Sequence, residues 1–135
     1  MTDKQLTRTL QDHRDWVKSS ATGNRADLRA ADLRGMDLAG ADLRYADLRA
    51  ADLSRANLVD ADMRGADLRG AKLTEANCQR ASFVNANLHG ATLDGADLRG
   101  ADMQQANGVG ASFIGWRKSA GKTAPSKEAP EIDME

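Results

Sequence analysis

The residues of this sequence with the greatest chemical potential are one cysteine and two histidines. A nucleophilic cysteine needs access to solvent and a lowered pKa. Cys78 instead occupies a position shared by leucines at regular spacing, where a thiol acts as a small buried hydrophobe. His13 lies in a predicted helix and His89 on a predicted outer surface, and the sequence places no partner beside either. We expect no nucleophile or general base among them.

Aspartates are plentiful, and many are followed two residues later by arginine. Paired carboxylates perform acid–base chemistry when their surroundings separate their pKa values, which a regular solvent-facing row does not do. A metal site would need a Cys/His cluster or converging carboxylates, and the sequence shows neither. We therefore predict that the chain is not an enzyme and uses no cofactor.

The composition limits the class of protein further. Aromatic residues make up 4% of the 135 residues, charged residues 29%, and the formal net charge is −1. This balance argues against bulk nucleic acid or an anionic membrane as a partner. No apolar run approaches the roughly 20 residues of a membrane span, and the lone cysteine cannot form an internal disulfide. We expect a cytoplasmic protein.

A repeat of five residues runs in one phase from Ala26 to Gly115, for 18 units. We call its central apolar residue i. Position i−2 is alanine in every unit except one, where it is Met36, and i−1 is mostly Asp or Asn. Nine of the twelve glycines occupy i+2. Internal repeats of this kind define a fold more strongly than local propensity does.

Neither regular element can bury this pattern on one side. In an α-helix, residues five apart differ by about 140° in direction, and in a straight strand they point to opposite faces. A strand that bends once per unit places i−2 and i inside and i−1 and i+1 outside. Glycine at i+2 suits that bend. The repeat therefore predicts an all-β solenoid.

The units Ala31-Asp32-Leu33-Arg34-Gly35 and Ala96-Asp97-Leu98-Arg99-Gly100 resemble the pentapeptide-repeat family. The resemblance implies a right-handed quadrilateral β-helix with four units per coil, hence about four and a half coils. Residues 20 apart should then stack, and Gly108 should leave a gap near the end. Two of the predicted core stacks are Leu28, Leu48, Leu68 and Leu88, and Met63, Phe83 and Met103.

The open ends of a solenoid need caps. We predict an N-terminal helix over 2–19, begun by a capping box of Thr2 and Gln5, and the domain boundaries 1–24 (helical cap and linker), 25–116 (β-helix) and 117–135 (disordered tail). Met36 would pack beneath the helix. Phe113, Ile114 and Trp116 would either close the other end or contact a second subunit as a homodimer. The helix residues predicted to cover the first coil are Leu6, Leu10, Trp16 and Val17.

Folded into four faces, the outer residues form rows of alternating charge. The first row contains Asp27, Arg29, Asp47, Arg49, Asp67 and Arg69, and the neighbouring row contains Asp42, Arg44, Asp62, Arg64 and Asp102, with Tyr45 at its edge. These rows are either a self-paired, solvated surface or a charged platform for a protein partner. The sequence favours a non-catalytic scaffold for protein–protein interaction, without direct nucleic-acid binding and without a membrane span.

The resemblance also implies an alternative function, because well-known members of the family inhibit or protect DNA gyrase by imitating the shape and charge of DNA. Such mimicry requires a strongly negative surface. Residues 26–115 contain thirteen acidic and ten basic residues, for a net charge of −3. The alternative is therefore a DNA-mimic modulator or protector of gyrase or another topoisomerase.

Overall fold

A computed structural model describes residues 1–119, which form one helix followed by a β-solenoid. The helix, α1, spans Asp3–Lys18. It begins with the predicted capping box: the Thr2 hydroxyl accepts the Gln5 N–H at 3.1 Å, and the Gln5 side-chain oxygen accepts the Thr2 N–H at 2.8 Å. This reciprocal pair satisfies two of the donors that every helix start leaves free.

One side of α1 packs on the start of the solenoid. Leu6 and His13 are buried, and Leu10 packs against the same core from a half-buried position. Met36 is also partly buried against this core, and it lines a groove together with Leu6 and Leu10. Trp16, like Val17, is half-buried. The helix therefore covers apolar side chains of the first coil, as the sequence predicts.

Pairing in the solenoid joins residues that lie 20 positions apart. From Asp27 to Asp97, every i−1 residue forms a parallel bridge to the i−1 residue one coil later, beginning with Asp27 and Asp47. The paired segments are single bridges rather than longer strands throughout residues 1–119. A coil therefore contains four units, and the first coil comprises residues 26–45. The right-handed path stays a prediction.

Each unit ends in a tight turn. The N–H of residue i+3 donates to the carbonyl of residue i, as Ala31 does to Leu28 at 3.1 Å. The i+2 residue has a positive φ in all 18 units, whether it is glycine, as at Gly35, or not, as at Tyr45. The i+2 residue is the third of the four turn residues, and a positive φ at that residue alone is the pattern of a type II turn. Half of the units therefore adopt this turn without glycine.

The interior is made of alanine at i−2 and mostly leucine at i. Leu48, Leu68 and Phe83 are completely buried. Met103 differs from the prediction, because it is only partly buried; it is the last described residue of its column. Gly108 is buried at the position where the sequence predicts a gap. Fully burying a leucine contributes about 1.5–3 kcal/mol to the free energy of folding. Each coil buries its leucines against the coils beside it, so the stability of the solenoid depends on contacts between neighbouring coils.

The C-terminal end is closed in part by two aromatic rings. Phe113 and Trp116 are buried and meet edge to face, with 5.3 Å between ring centroids. Ile114 does not help to close this end, because its side chain points outward from an i+1 position and is 74% exposed. Bridging continues to Arg117. The tail predicted for 117–135 lies mostly outside the described residues.

No helix within residues 1–119 combines the length and apolarity required to cross a membrane.

Candidate functional site

The aspartate at i−1 fixes the local backbone of its own unit. In the first coil, the Asp27 carboxylate oxygen Oδ1 accepts the N–H of Arg29 at 3.3 Å, and Asp37 does the same for Ala39 at 3.1 Å. Asparagine makes the equivalent bond, as Asn57 does to Val59. This is the Asx-turn geometry. The sequence signal for this turn is the frequent Asp or Asn at i−1, which the sequence pattern alone placed only toward solvent.

Arginine at i+1 binds the same carboxylate with two parallel hydrogen bonds. In Arg49 the Nε–H donates to Asp47 Oδ1 at 2.9 Å and a terminal N–H donates to Oδ2 at 2.7 Å. Bidentate pairs of this kind are stronger and more directional than single contacts. Seven units contain one: Asp27–Arg29, Asp32–Arg34, Asp42–Arg44, Asp47–Arg49, Asp62–Arg64, Asp67–Arg69 and Asp97–Arg99.

The pairs are connected along the solenoid axis. Arg29 Nε lies 3.8 Å from an Asp47 oxygen, and Arg49 Nε lies 3.8 Å from an Asp67 oxygen. On the neighbouring face, Arg44 Nε lies 3.6 Å from an Asp62 oxygen. We call the first of these rows ladder A (Asp27, Arg29, Asp47, Arg49, Asp67 and Arg69). We call the second ladder B (Asp42, Arg44, Asp62 and Arg64).

The structure separates Asp102 from ladder B. The residue at i+1 of its unit is Gln104, whose backbone N–H donates to Asp102 Oδ1 at 3.1 Å. No arginine of the described chain forms a salt bridge with Asp102. Continuous pairing in ladder B therefore stops at Arg64, and the ion pairs of both ladders lie in the first three coils.

The arginines keep the ladder carboxylates ionised. Hydrogen bonds from the Arg29 side chain lower the pKa of Asp27 to about 2, and those from Arg49 lower the pKa of Asp47. A general acid must hold its proton near neutral pH, which these groups cannot do. The ladders are consequently arrays of fixed ion pairs rather than proton donors.

Tyr45 lies at the corner between the two ladders. It follows Arg44 of ladder B and precedes the unit of Asp47 in ladder A, and its side chain is 53% exposed. The ring passes over Gly65: a Cβ at Gly65 would lie 2.5 Å from the Cδ1 and Cε1 atoms of the ring. Real Cβ atoms do not approach that closely, so glycine at 65 allows the ring to lie where it does.

The other side chains with reactive groups are Cys78, His89 and His13. Burial raises the pKa of the Cys78 thiol to about 12, so it carries no thiolate at neutral pH. His89 is exposed at its i+1 position. His13 has two backbone partners that the sequence does not indicate, the N–H of Ala26 and the carbonyl of Arg44. Within residues 1–119, no group of His, Cys, Asp and Glu is arranged to hold a metal ion.

Comparison with known proteins places the chain among repeat proteins of the same period. A family model for pentapeptide repeats matches residues 24–60, 51–90, 61–100 and 86–115. The pentapeptide repeat protein Rfr23 from the cyanobacterium Cyanothece 51142 is 30% identical, with a TM-score of 0.63, over 76% of this chain and 66% of Rfr23. The chain therefore spans about two thirds of that relative.

Two further structures match with lower TM-scores. HetL, involved in heterocyst differentiation regulation in the cyanobacterium Nostoc sp. strain PCC 7120, is 42% identical over 61% of this chain and 40% of its own, with a TM-score of 0.40. QnrB1, a plasmid-mediated fluoroquinolone resistance protein, is 16% identical over 76% of this chain and 71% of its own, with a TM-score of 0.32. No curated protein matches this chain.

The repeat match covers more than half of the sequence, and the 20-residue register of the coils is continuous over the same residues. The chain belongs to the pentapeptide-repeat family.

Proposed function

We propose that the chain is a non-catalytic scaffold that binds a protein partner through ladders A and B and the Tyr45 ring between them. The observation that carries this proposal is the position of Tyr45, an exposed aromatic side chain held over Gly65 and flanked by bidentate Asp–Arg pairs. Tyrosine and arginine are enriched among the residues that dominate protein–protein binding. We further propose a right-handed, cytoplasmic solenoid.

Preorganisation favours such a surface. Each Arg side chain of the ladders is already fixed by its own Asp, so a partner orders fewer rotamers on binding. Because the arginine side chains of the ladders are 34–57% exposed, solvent screens the ion pairs and limits their contribution to folding stability. Their regular arrangement is therefore available for recognition, and an acceptor on the partner can use the guanidinium N–H groups that the aspartates leave free.

A matched pair of charge reversals tests the proposal. Arg49 and Arg99 form the same bidentate pair with the aspartate two residues before, at 2.7 Å in both, and their side chains are 43% and 44% exposed. Arg99 lies on a different face of the solenoid, outside both ladders. Partners captured by wild type from cells that express the chain should be lost with Arg49→Glu and retained with Arg99→Glu. Equal retention by both variants contradicts the proposal.

The topoisomerase alternative has a weaker physical basis in this chain. A DNA mimic presents unpaired negative charge to a site built for phosphate, whereas each ladder carboxylate is bound by an arginine of its own unit. A supercoiling assay with purified gyrase separates the two functions. Inhibition or protection of gyrase at micromolar concentrations of the chain would favour DNA mimicry. No effect on gyrase would favour the protein-binding scaffold.

We also propose that two copies associate through the C-terminal end of the solenoid. Trp116 is buried there, yet its indole N–H has no hydrogen-bond partner within the described residues, and Met103 is only half-buried. Sedimentation should show a dimer in wild type and a monomer in Met103→Glu. A wild-type monomer at high micromolar concentration contradicts this association.

A further inference from the structure

His13 occupies the junction between α1 and the first coil, with both ring nitrogens bonded to the backbone. Its Nδ1 accepts the N–H of Ala26 at 2.8 Å, and its Nε2 lies 2.7 Å from the carbonyl oxygen of Arg44. A nitrogen that accepts an N–H carries no proton, so the proton of the neutral ring is on Nε2 and is donated to Arg44. The side chain is completely buried.

These two bonds reproduce the pairing that a preceding coil would supply. Elsewhere an i−2 N–H donates to the carbonyl of the preceding turn, as Ala31 does to Leu28, and an i+1 carbonyl accepts an N–H from the coil before, as Arg49 does from Ala30. No unit precedes Ala26, and the imidazole provides both partners instead. His13 is thus the hydrogen-bonding link that ends the solenoid.

We propose that His13 is a pH-sensitive switch whose protonation detaches α1 from the first coil. A second proton must enter at Nδ1, where it would point at the N–H of Ala26 across 2.8 Å. Two donors cannot share that contact, so the imidazolium breaks the bond or moves out of its site. The unpaired N–H of Ala26 and the displaced ring then favour separation of the helix from the coil.

The surrounding charges do not remove this conflict. Burial lowers the pKa of His13 from its ordinary value of 6.5, and the nearby cations Arg25 and Arg44 lower it further. The bond to the Arg44 carbonyl and the Asp42 carboxylate act in the opposite direction. The sign is therefore fixed: the unfolded state binds a proton below about pH 6.5 while the docked state does not, so docking weakens as the pH falls.

The contacts that remain after protonation are few. The Asn24 N–H donates to the Asp12 carbonyl at 3.1 Å, and Gly23, at φ +69°, passes close to the helix. Both contacts are between α1 and its own linker, so they move with the helix. On the coil, the apolar contacts of α1 are those of Leu6, which is buried, and of Leu10, which is partly buried against the same core. A change at one side chain can consequently release the cap while leaving the coils intact.

The experiment follows the two histidine nitrogens and the helix together from pH 8.0 to pH 4.5. Nitrogen NMR of the imidazole reports the tautomer of His13, and the amide spectrum reports whether residues 3–18 remain docked. The chain contains only one other histidine, so His89→Gln is the matched control for His13→Gln. Reaction of buried Cys78 with a dipyridyl disulfide, which labels thiols in mild acid, reports opening of the coils.

We expect the Nε2-protonated tautomer at pH 8.0 and, below pH 6.5, loss of the docked helix signals while Cys78 stays unreactive. His89→Gln should keep this transition and His13→Gln should lose it. The proposal is overturned if His13 becomes protonated with the helix still docked, if His13→Gln undergoes the same transition, or if Cys78 labels at the same pH at which the helix is released.

Discussion

The imidazole Nδ1 of His13 accepts the backbone N–H of Ala26 at 2.8 Å, at the residue where the repeat begins. The same ring is stacked on Trp16, with 5.6 Å between centroids. One side chain therefore ends the hydrogen-bond pattern of the solenoid and joins it to the apolar face of α1. A single side chain of the helix thereby satisfies two backbone groups, the N–H of Ala26 and the carbonyl of Arg44, that have no preceding coil to pair with.

The first prediction concerns Asp47, which forms both an Asx turn and an ion pair and is only 9% exposed. Replacement by alanine leaves the Arg49 N–H without its acceptor and should cost about 1–3 kcal/mol. Asp47→Asn keeps that bond and should cost less. Because Arg49 lowers the pKa of Asp47, the difference between wild type and Asp47→Ala should be largest at neutral pH. It should shrink as the pH falls below about 3.9.

Urea unfolding at pH 7 and pH 3 measures these differences. If the alanine and asparagine variants are equally stable at pH 7, the Asx bond contributes nothing. If the difference between wild type and Asp47→Ala grows on acidification, the sign of the linkage is wrong.

The second prediction is a stabilising substitution at Lys72. This unit has lysine at i−1, and the N–H of Thr74 has no acceptor within the described residues. Lys72→Asn supplies one and should raise the free energy of unfolding by about 0.5–1 kcal/mol. Lys72→Gln is the control, because it removes the same charge opposite Asp52 but is too long for the two-residue turn. A glutamine variant as stable as the asparagine variant would refute the mechanism.

The third prediction isolates the orientation of Tyr45 from the charges around it. Gly65→Ala places a Cβ where the ring now lies, whereas Gly70 has the same φ of +67° and open space around its own Cβ position. Both substitutions should carry a similar backbone strain of about 1 kcal/mol, but only Gly65→Ala should weaken partner binding. Calorimetry with the captured partner compares them. Equal weakening by both would assign the effect to strain instead.

The fourth prediction uses Cys78 as a probe of the coils. It is buried between Leu58 and Leu98, which lie 20 positions before and after it, and burial raises its pKa to about 12. Labelling by a thiol reagent at pH 8 should therefore be limited by opening of the solenoid and should accelerate in urea in step with unfolding. Labelling at the rate of a free thiol in native buffer would show that the coils open locally.

Much of this architecture follows from the five-residue period. Neither a helix nor a straight strand can bury residues five apart on one side, so the backbone must bend once per unit to bury position i. The structure places Leu28, Leu48 and Leu68 in the core. The capping box of Thr2 and Gln5 was also readable, because its two side chains act locally.

The details that escaped prediction depend on contacts between distant residues or on the ends of columns. Nothing near His13 in the sequence indicates that Arg44 supplies its partner, 31 positions away. Met103 has the residue type of a core position, but it is the last described residue of its column and is partly exposed. Ile114 follows a buried phenylalanine, yet the alternation of the unit directs it outward.

Site-specific photo-crosslinking tests the proposed docking surface most directly. A benzophenone amino acid replaces exposed Tyr45 in one protein and exposed Ile114 in another. Irradiation in cells that express the chain should give a discrete covalent adduct with a different protein from position 45 and no adduct with that protein from position 114, and adding Arg49→Glu should abolish it. An adduct that forms equally from both positions, or survives the charge reversal, would contradict a partner site on ladders A and B.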